Sequence, residues 1–231
     1  SHIRFGTFEF ANVNKNKNHL KELTDYTINR HFPELLYNKN KVENFLIEVS
    51  INLVNLLINW LRVGFIHGVM NTDNMSIVGE TIDYGPCAFM DTYNPKTVFS
   101  SIDHNGRYSY ENQSRIGLWN LARFAESILS LIDKDEKKAI KKAENILNNF
   151  QILFKNSWLK MMKKKIGLIE NQDADIKLIQ DFLNIMHVYK LDYTNTFVDL
   201  KNNELKKYKF FNGWIIKYEE RKKIEKKNRE T

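Results

Sequence analysis

The amino-acid sequence predicts a mainly α-helical protein with a small β-hairpin in a loop-rich segment. Apolar residues recur at helical spacing over most of the chain. Residues 64–107 interrupt that periodicity and contain five of the nine Gly and two of the three Pro. The 231 residues are 42% apolar and 27% charged, a composition that suits a folded domain and excludes a wholly disordered chain.

The first two helices are expected on either side of Pro33. Residues 19–31 carry apolar side chains near helical spacing, and Pro33 ends that helix. Residues 40–63 predict a longer helix that is apolar on most of its sides, as is typical of a helix at the centre of a domain. Polar residues interrupt the apolar run 45–66, so we interpret it as a buried helix and expect no membrane contact.

The loop-rich segment is expected to hold short extended pieces at residues 76–78 and 97–99. A hairpin between Asn74 and Asp83, with Gly79 and Glu80 at its turn, would place the first two residues at one end of two strands. A loop-rich segment between apolar helical regions is typical of a functional site held by a rigid scaffold.

Four more helices are expected, at residues 113–132, 133–166, 175–187 and 214–227. Asn112 or Ser114 can cap the first of them. We predict one domain, with a core at residues 1–132 and a helical extension at residues 133–231. The extension ends in a basic tail, since residues 201–231 hold eleven Lys or Arg and five Glu within a chain of net charge +7. Such a tail can dock an acidic partner or nucleic acid.

Side chains with oxygen atoms that suit Mg²⁺ are concentrated in the loop-rich segment. The protein-kinase catalytic loop provides a spacing test, because it places an Asn seven positions after a His and is followed by Asp-Phe-Gly. Here Asn74 follows His67 by seven positions, and Asp83-Tyr84-Gly85 follows in turn. The oxygen-bearing candidates are Asn71, Asp73, Asn74 and Asp83.

Val69 occupies the position of the kinase catalytic Asp, and a valine cannot accept a proton. Asp73, beside Asn74, is the acid in this loop that can take that role. Each candidate also has a structural interpretation: His67 as a core histidine bonded to backbone, Asp73 as a cap and Asp83 as a turn residue. The spacing and the following Asp-aromatic-Gly together favour a site.

The stretch RVGFIHGVMNTDNMSIVGETIDYGPCAFMD, residues 62–91, resembles the signature of the selenoprotein O (SelO) family. Members of that family are kinase-fold pseudokinases that act as protein adenylyltransferases. The opening SHIRFGTFEF, the segments GRYSYENQ and WNLARFAESIL, and DYTNTF at residues 192–197 extend the resemblance to about residue 217.

This resemblance implies a protein-kinase-like C-lobe that transfers AMP from Mg²⁺–ATP to Ser, Thr or Tyr hydroxyls of proteins. It implies that Asp73 accepts the proton and that Asn74 and Asp83 bind Mg²⁺. It also implies that Arg4 and Asp83 lie against the nucleotide. The family's N-lobe, with its Gly-rich loop and Lys–acid pair, and its C-terminal end have no counterpart in this sequence. The chain is therefore expected to be a single partial domain, inactive or impaired unless another chain supplies the N-lobe.

Two other function classes stay open. A non-catalytic helical binding module would use the basic tail, although no aromatic-interleaved basic motif points to RNA. A metal-dependent hydrolase would use His67, Asp73 and Asp83. Cys87 is the single cysteine, which excludes an internal disulfide framework. The opening residues do not resemble a signal peptide, and a cytoplasmic location is the default expectation.

Overall fold

The computed structural model of the chain describes residues 2–13 and 17–227 and confirms a mainly helical fold with a small antiparallel sheet. The two strands are Phe65–Ile66 (β1) and Ala88–Phe89 (β2), and Phe65 pairs with Phe89. The helices in the described ranges are Phe5–Val13 (α1), Lys17–His31 (α2), Lys41–Val63 (α3), Gln113–Ile132 (α4), Glu136–Lys165 (α5), Asp175–Val188 (α6), Tyr193–Lys201 (α7) and Asn212–Lys227 (α8).

Helix α3 lies at the centre of the fold, packed against α4 and α5, with ten buried residues. It ends at Gly64, whose φ of 73° lets its N–H reach the carbonyls of Trp60 and Leu61. Among the described residues, α3 is the one helix whose length and composition would allow it to cross a membrane, and 56% of that window is buried. Its packing fits the prediction of a core helix.

Two apolar clusters fill the interior. In the first, the ring of Phe124 on α4 lies 5.2 Å from that of Phe5 and 5.0 Å from that of Phe8, both on α1. The second joins the end of α5 to α6, α7 and α8, with Phe182 and Trp214 at its centre. Because α3 and α5 contribute to both clusters, the predicted division at residue 132 stays a prediction.

The strands lie elsewhere than the sequence predicted. In the described stretch from Asn74 to Asp83 no hairpin forms, because this segment pairs with the N-terminal residues instead of with itself. Ser76 forms an isolated bridge with Arg4, and Ile77 donates its N–H to the carbonyl of Ile3 at 3.0 Å. Of the extended pieces predicted at residues 76–78 and 97–99, the first contributes the bridge at Ser76, and neither forms a strand.

The other predicted helices form within a few residues of their expected bounds, while α1 and α7 were not predicted. Both are only nine residues long, and α1 is apolar without a clear one-sided pattern. Asn112 occupies the N-cap of α4, but its side chain donates to the carbonyl of Gly106 at 2.7 Å and does not cap the helix.

Candidate functional site

The loop after β1 is organised around the imidazole of His67, which is fully buried. Its Nε2 lies 2.7 Å from the carbonyl oxygen of Ile82, and its Nδ1 is 3.4 Å from the N–H of Val69. Because a carbonyl can only accept and Nδ1 faces an N–H donor, a neutral ring with its proton on Nε2 satisfies both contacts. Burial lowers the pKa of His67 below its usual value. The ring thus connects the loop 67–74 to the segment that leads to Asp83.

Two amide side chains of α4 form hydrogen bonds with the backbone of this loop and of β1. Gln113 accepts the N–H of His67 and donates to the carbonyl of Phe65, each at 3.0 Å. Asn120 donates to the carbonyl of Met70 at 2.9 Å. Both amides are fully buried. Sequence reasoning missed these roles, although an amide on the apolar face of a predicted helix is a usable signal, because a buried amide needs a partner.

The turn that carries the candidate acid is fixed by Asn71. Its side-chain oxygen accepts the N–H groups of Asp73 and Asn74 at 3.0 and 3.1 Å and so caps the 3₁₀ turn Thr72–Asn74. The side-chain amide of Asn74 donates to the carbonyl of Val69 at 3.0 Å. That bond leaves the amide oxygen of Asn74 as the atom available to a cation.

Helix α1 lies directly against Asp73. A Cβ added to Gly6 would lie 2.0 Å from Oδ1 of Asp73, so only a residue without a side chain permits this approach. The N–H of Phe5 donates to the carbonyl of Met75 at 3.0 Å. The segment that carries Arg4 is thereby fixed beside the turn.

Arg4 and Asp83 are 79 positions apart and form a two-contact ion pair. The guanidinium nitrogens lie 3.0 Å from Oδ2 and 3.5 Å from Oδ1 of Asp83, with both side chains a little over one-third exposed. The φ of Asp83 is 55°, in the left-handed region that few residues other than Gly adopt. The N–H of Gly85 donates to the carbonyl of Asp83 at 2.8 Å and closes this turn.

The structure thus brings the sequence-predicted residues Arg4, Asp73, Asn74 and Asp83 to one region of the surface. Within residues 2–13 and 17–227, no three His, Cys, Asp or Glu side chains come together as metal ligands. The donors present are the carboxylate of Asp83 and the amide oxygen of Asn74. These hard oxygen donors fit Mg²⁺, which commonly takes its other ligands from water and substrate phosphates.

The interpretation of His67 as a ligand or base of a hydrolase is wrong. Its ring is buried, and backbone groups of Ile82 and Val69 occupy both nitrogens. It acts instead as the core histidine that the sequence left as an alternative.

The basic tail is partly committed to contacts inside the fold. Lys207 pairs with Glu204 at 3.0 Å. Arg221 is buried and lies 2.6 Å from Asp175 and 3.1 Å from Glu225. Residues 228–231 of the predicted tail lie outside the described residues.

Comparison with known proteins identifies similar sequences along the whole length of the chain. A family model described as protein adenylyltransferase SelO matches residues 1–230. A protein nucleotidyltransferase YdiU of Bacillus cytotoxicus is 50% identical over 226 residues, which cover 96% of this chain and 46% of that protein. The protein of the same name from Clostridium perfringens (strain 13 / Type A) is 48% identical, covering 100% of this chain and 48% of its own length. The chain spans about half the length of the curated relatives it matches.

Proposed function

The chain belongs to the protein adenylyltransferase SelO family, and we propose that its site takes part in AMP transfer from Mg²⁺–ATP to Ser, Thr or Tyr hydroxyls of proteins. The family model and the names of the relatives support a nucleotidyltransferase reaction. The observation that supports this site is the ion pair between Arg4 and Asp83, which sets a phosphate-binding cation beside a metal-binding carboxylate. Asp73 lies on the same side, against the helix turn that follows Arg4.

Asp73 is the proton acceptor in this proposal. The acceptor hydroxyl oxygen bonds to the α-phosphorus of ATP as the bond from that phosphorus to the β-phosphate oxygen breaks, and pyrophosphate leaves. The hydroxyl proton passes to the carboxylate of Asp73, which is exposed to an incoming protein. The cap from Asn71 and the close approach of Gly6 hold that carboxylate in place.

Arg4, Asn74 and Asp83 bind the phosphate end of the nucleotide. Asp83 and Asn74 would hold Mg²⁺, which when bound neutralises phosphate charge. Arg4 orients the carboxylate of Asp83 before the nucleotide binds and offers its remaining donors to a phosphate oxygen. Positioning and charge neutralisation are the main requirements of this class of reaction.

We infer that this stretch of chain alone transfers AMP weakly or not at all. The sequence has no Gly-rich cluster of the GxGxxG kind, and no part of it matches the Lys–acid pair of the family's N-lobe. A second lobe, in the same or another polypeptide, would supply those parts. Its acceptor hydroxyls would belong to protein substrates that approach the exposed face of Asp73.

Thermal unfolding with and without Mg²⁺–ATP tests the proposal. A ligand at about 100 times its Kd stabilises by about 2.7 kcal/mol, which raises Tm by several degrees in a chain of this size. We expect a metal-dependent rise in the wild type and in Asp173→Ala, a change at an exposed carboxylate elsewhere. Asp83→Ala should abolish the rise.

Two results would count against this assignment. A rise that persists in Asp83→Ala would remove Asp83 from the metal site. The absence of any rise in wild-type protein joined to an N-lobe from a relative would refute the nucleotide site as a whole.

A further inference from the structure

A groove between α3 and α5 contains a concentration of positive charge that the proposed reaction does not use. It has a volume of about 650 Å³. Arg62 enters it from the end of α3, and Lys160, Lys164 and Lys165 enter it from the last turns of α5. We call it the basic groove. It shares no lining residue with the site at Arg4, Asp73, Asn74 and Asp83.

Carboxylates do not balance this charge. Among the described residues, none of the four cations has an Asp or Glu oxygen within 4.0 Å, whereas lysines elsewhere on α5, such as Lys138, Lys142 and Lys163, do. No Asp or Glu lines the groove either. An unbalanced group of cations in a concave site raises the local concentration of anions.

The arrangement costs stability. Lys160 and Lys164 are four positions apart on α5, a spacing at which like charges repel. Lys165 donates to the carbonyl of Arg62 at 2.7 Å and lies over the ring of Tyr193. Burial, and next the charge of Arg62, lower the pKa of Lys165 to about 7. An anion in the groove would relieve this repulsion.

The favourable interaction of lysines with the helix dipole explains only part of this arrangement. Lysines in the last turn of α5 interact favourably with the partial negative charge at its C-terminus. That effect fades within one turn, so it does not account for Lys160, and Arg62 comes from a different helix. Cations from two helices therefore meet in one groove, and a bound anion would explain why they do.

We propose that the basic groove is a binding site for a small phosphate-bearing anion, separate from the site at Arg4 and Asp83. Its volume suits a molecule between pyrophosphate and a nucleotide in size. Ser157 and Asn55 line the same groove and can add neutral hydrogen bonds. Ile58 and Met161 give it an apolar wall against which an organic part can pack.

Titration calorimetry with inorganic pyrophosphate, in buffer free of divalent metal ions, tests this proposal. We expect the wild type to bind pyrophosphate. A triple variant with Arg62→Gln, Lys160→Gln and Lys164→Gln should raise the Kd at least about tenfold. The matched control also neutralises three exposed lysines, but around the N-terminus of α5. Its changes are Lys134→Gln, Lys137→Gln and Lys141→Gln. The control should bind as the wild type does.

A second variant separates the groove from the proposed AMP-transfer site. Arg4→Gln removes the cation that the proposed AMP-transfer site offers to a phosphate, so pyrophosphate binding that persists in this variant occurs in the groove, which Arg4 does not line. Lys160→Glu, a single exposed change, tests the groove again if the triple variant fails to fold.

The proposal is overturned if wild-type protein does not bind millimolar pyrophosphate. Equal loss in the control triple variant would show attraction by net charge only, and loss in Arg4→Gln would place the anion at the other site. Binding of a glutamate-rich peptide but not of pyrophosphate would make the groove a protein-docking surface instead.

Discussion

Nε2 of His67 and the carbonyl oxygen of Ile82 lie 2.7 Å apart, and this contact joins the two halves of the candidate site. On one side it fixes the loop that carries Asp73 and Asn74. On the other it fixes the residue immediately before Asp83. A neutral, buried ring is well suited to this task, since it offers one donor and one acceptor without a charge to desolvate.

The burial of His67 predicts a loss of stability in mild acid. Its pKa in the folded protein lies below the usual 6.5, so the unfolded chain binds more protons as the pH falls. The contribution of His67 to the free energy of unfolding should be constant above about pH 7 and should decrease as the pH falls through about 6.5. Urea unfolding across this range measures it.

His67→Gln should lower stability at neutral pH and flatten the slope below about pH 6.5. His104→Gln, at an exposed site, should keep the wild-type slope. Burial also lowers the pKa of His31, which accounts for a remaining slope. A full slope in His67→Gln would show that another group is responsible.

Gly6→Ala should reduce AMP transfer without unfolding the protein. The added methyl group would meet the end of the Asp73 side chain, which can move away, so the proposed base is displaced while the backbone stays in place. Transfer is measured with the chain joined to the N-lobe of a relative, and stability by thermal unfolding. Gly213→Ala is the control, since a Cβ there meets nothing within 4 Å. Unchanged transfer in Gly6→Ala would contradict the positioning role.

Asp73→Asn should separate binding from chemistry. The variant keeps the size of the side chain but cannot take the hydroxyl proton, so transfer should fall by about 10²–10⁴-fold while Mg²⁺–ATP binding is retained. Single-turnover transfer and nucleotide titration measure the two quantities. Transfer near the wild-type rate would remove Asp73 as the base.

Asp175→Ala should strongly destabilise the helical extension. The carboxylate of Asp175 lies 2.6 Å from Arg221 and 3.5 Å from Lys163, and all three side chains are buried. Its removal leaves two buried cations short of a counter-charge, at a cost of about 3–5 kcal/mol. Asp181→Ala, at a more exposed carboxylate paired with Lys177 and Lys217, should cost at most about 1 kcal/mol. Urea unfolding compares them, and equal losses would contradict this ranking.

Lys165 should react with a small acylating reagent near neutral pH before Lys160 does. With a pKa of about 7, a large part of Lys165 is the neutral, nucleophilic amine at that pH, whereas an ordinary lysine is almost fully protonated. Mass spectrometry of briefly treated protein measures the order of modification. Preferential modification of Lys160 would show that burial shields the Lys165 amine more than it activates it.

The long helices could be predicted from the sequence because their signal is local. Helix α3 has a continuous apolar pattern and a glycine stop at Gly64, and α4 matches its predicted range of 113–132. The pairing of Ile77 with Ile3 could not be predicted, since it depends on contacts between distant parts of the chain. The short helix α1 lacks a periodic signal because apolar residues also occur on its exposed side, where Phe10 is 72% exposed.

The candidate site was predictable in its residue types but not in its contacts. The spacing from His67 to Asn74 pointed to the loop. The resemblance implied that Arg4 and Asp83 each lie against the nucleotide, but the ion pair between them was not predicted. The supporting role of Gln113 depends on the backbone groups that pack against α4. The role of Gly6 depends on the position of the Asp73 side chain. Neither contact can be predicted from local sequence.

The packing of α1 on α4 should influence the affinity of the proposed site for a nucleotide. Arg4 directly precedes α1, and α1 packs on α4 through the rings of Phe5 and Phe8 against Phe124, so we expect the pair between Arg4 and Asp83 to require that packing. If the docked state is a fraction of the population, the apparent Kd for a nucleotide rises by the inverse of that fraction. Phe124, which is fully buried, would thereby help to determine how tightly the proposed site binds a nucleotide.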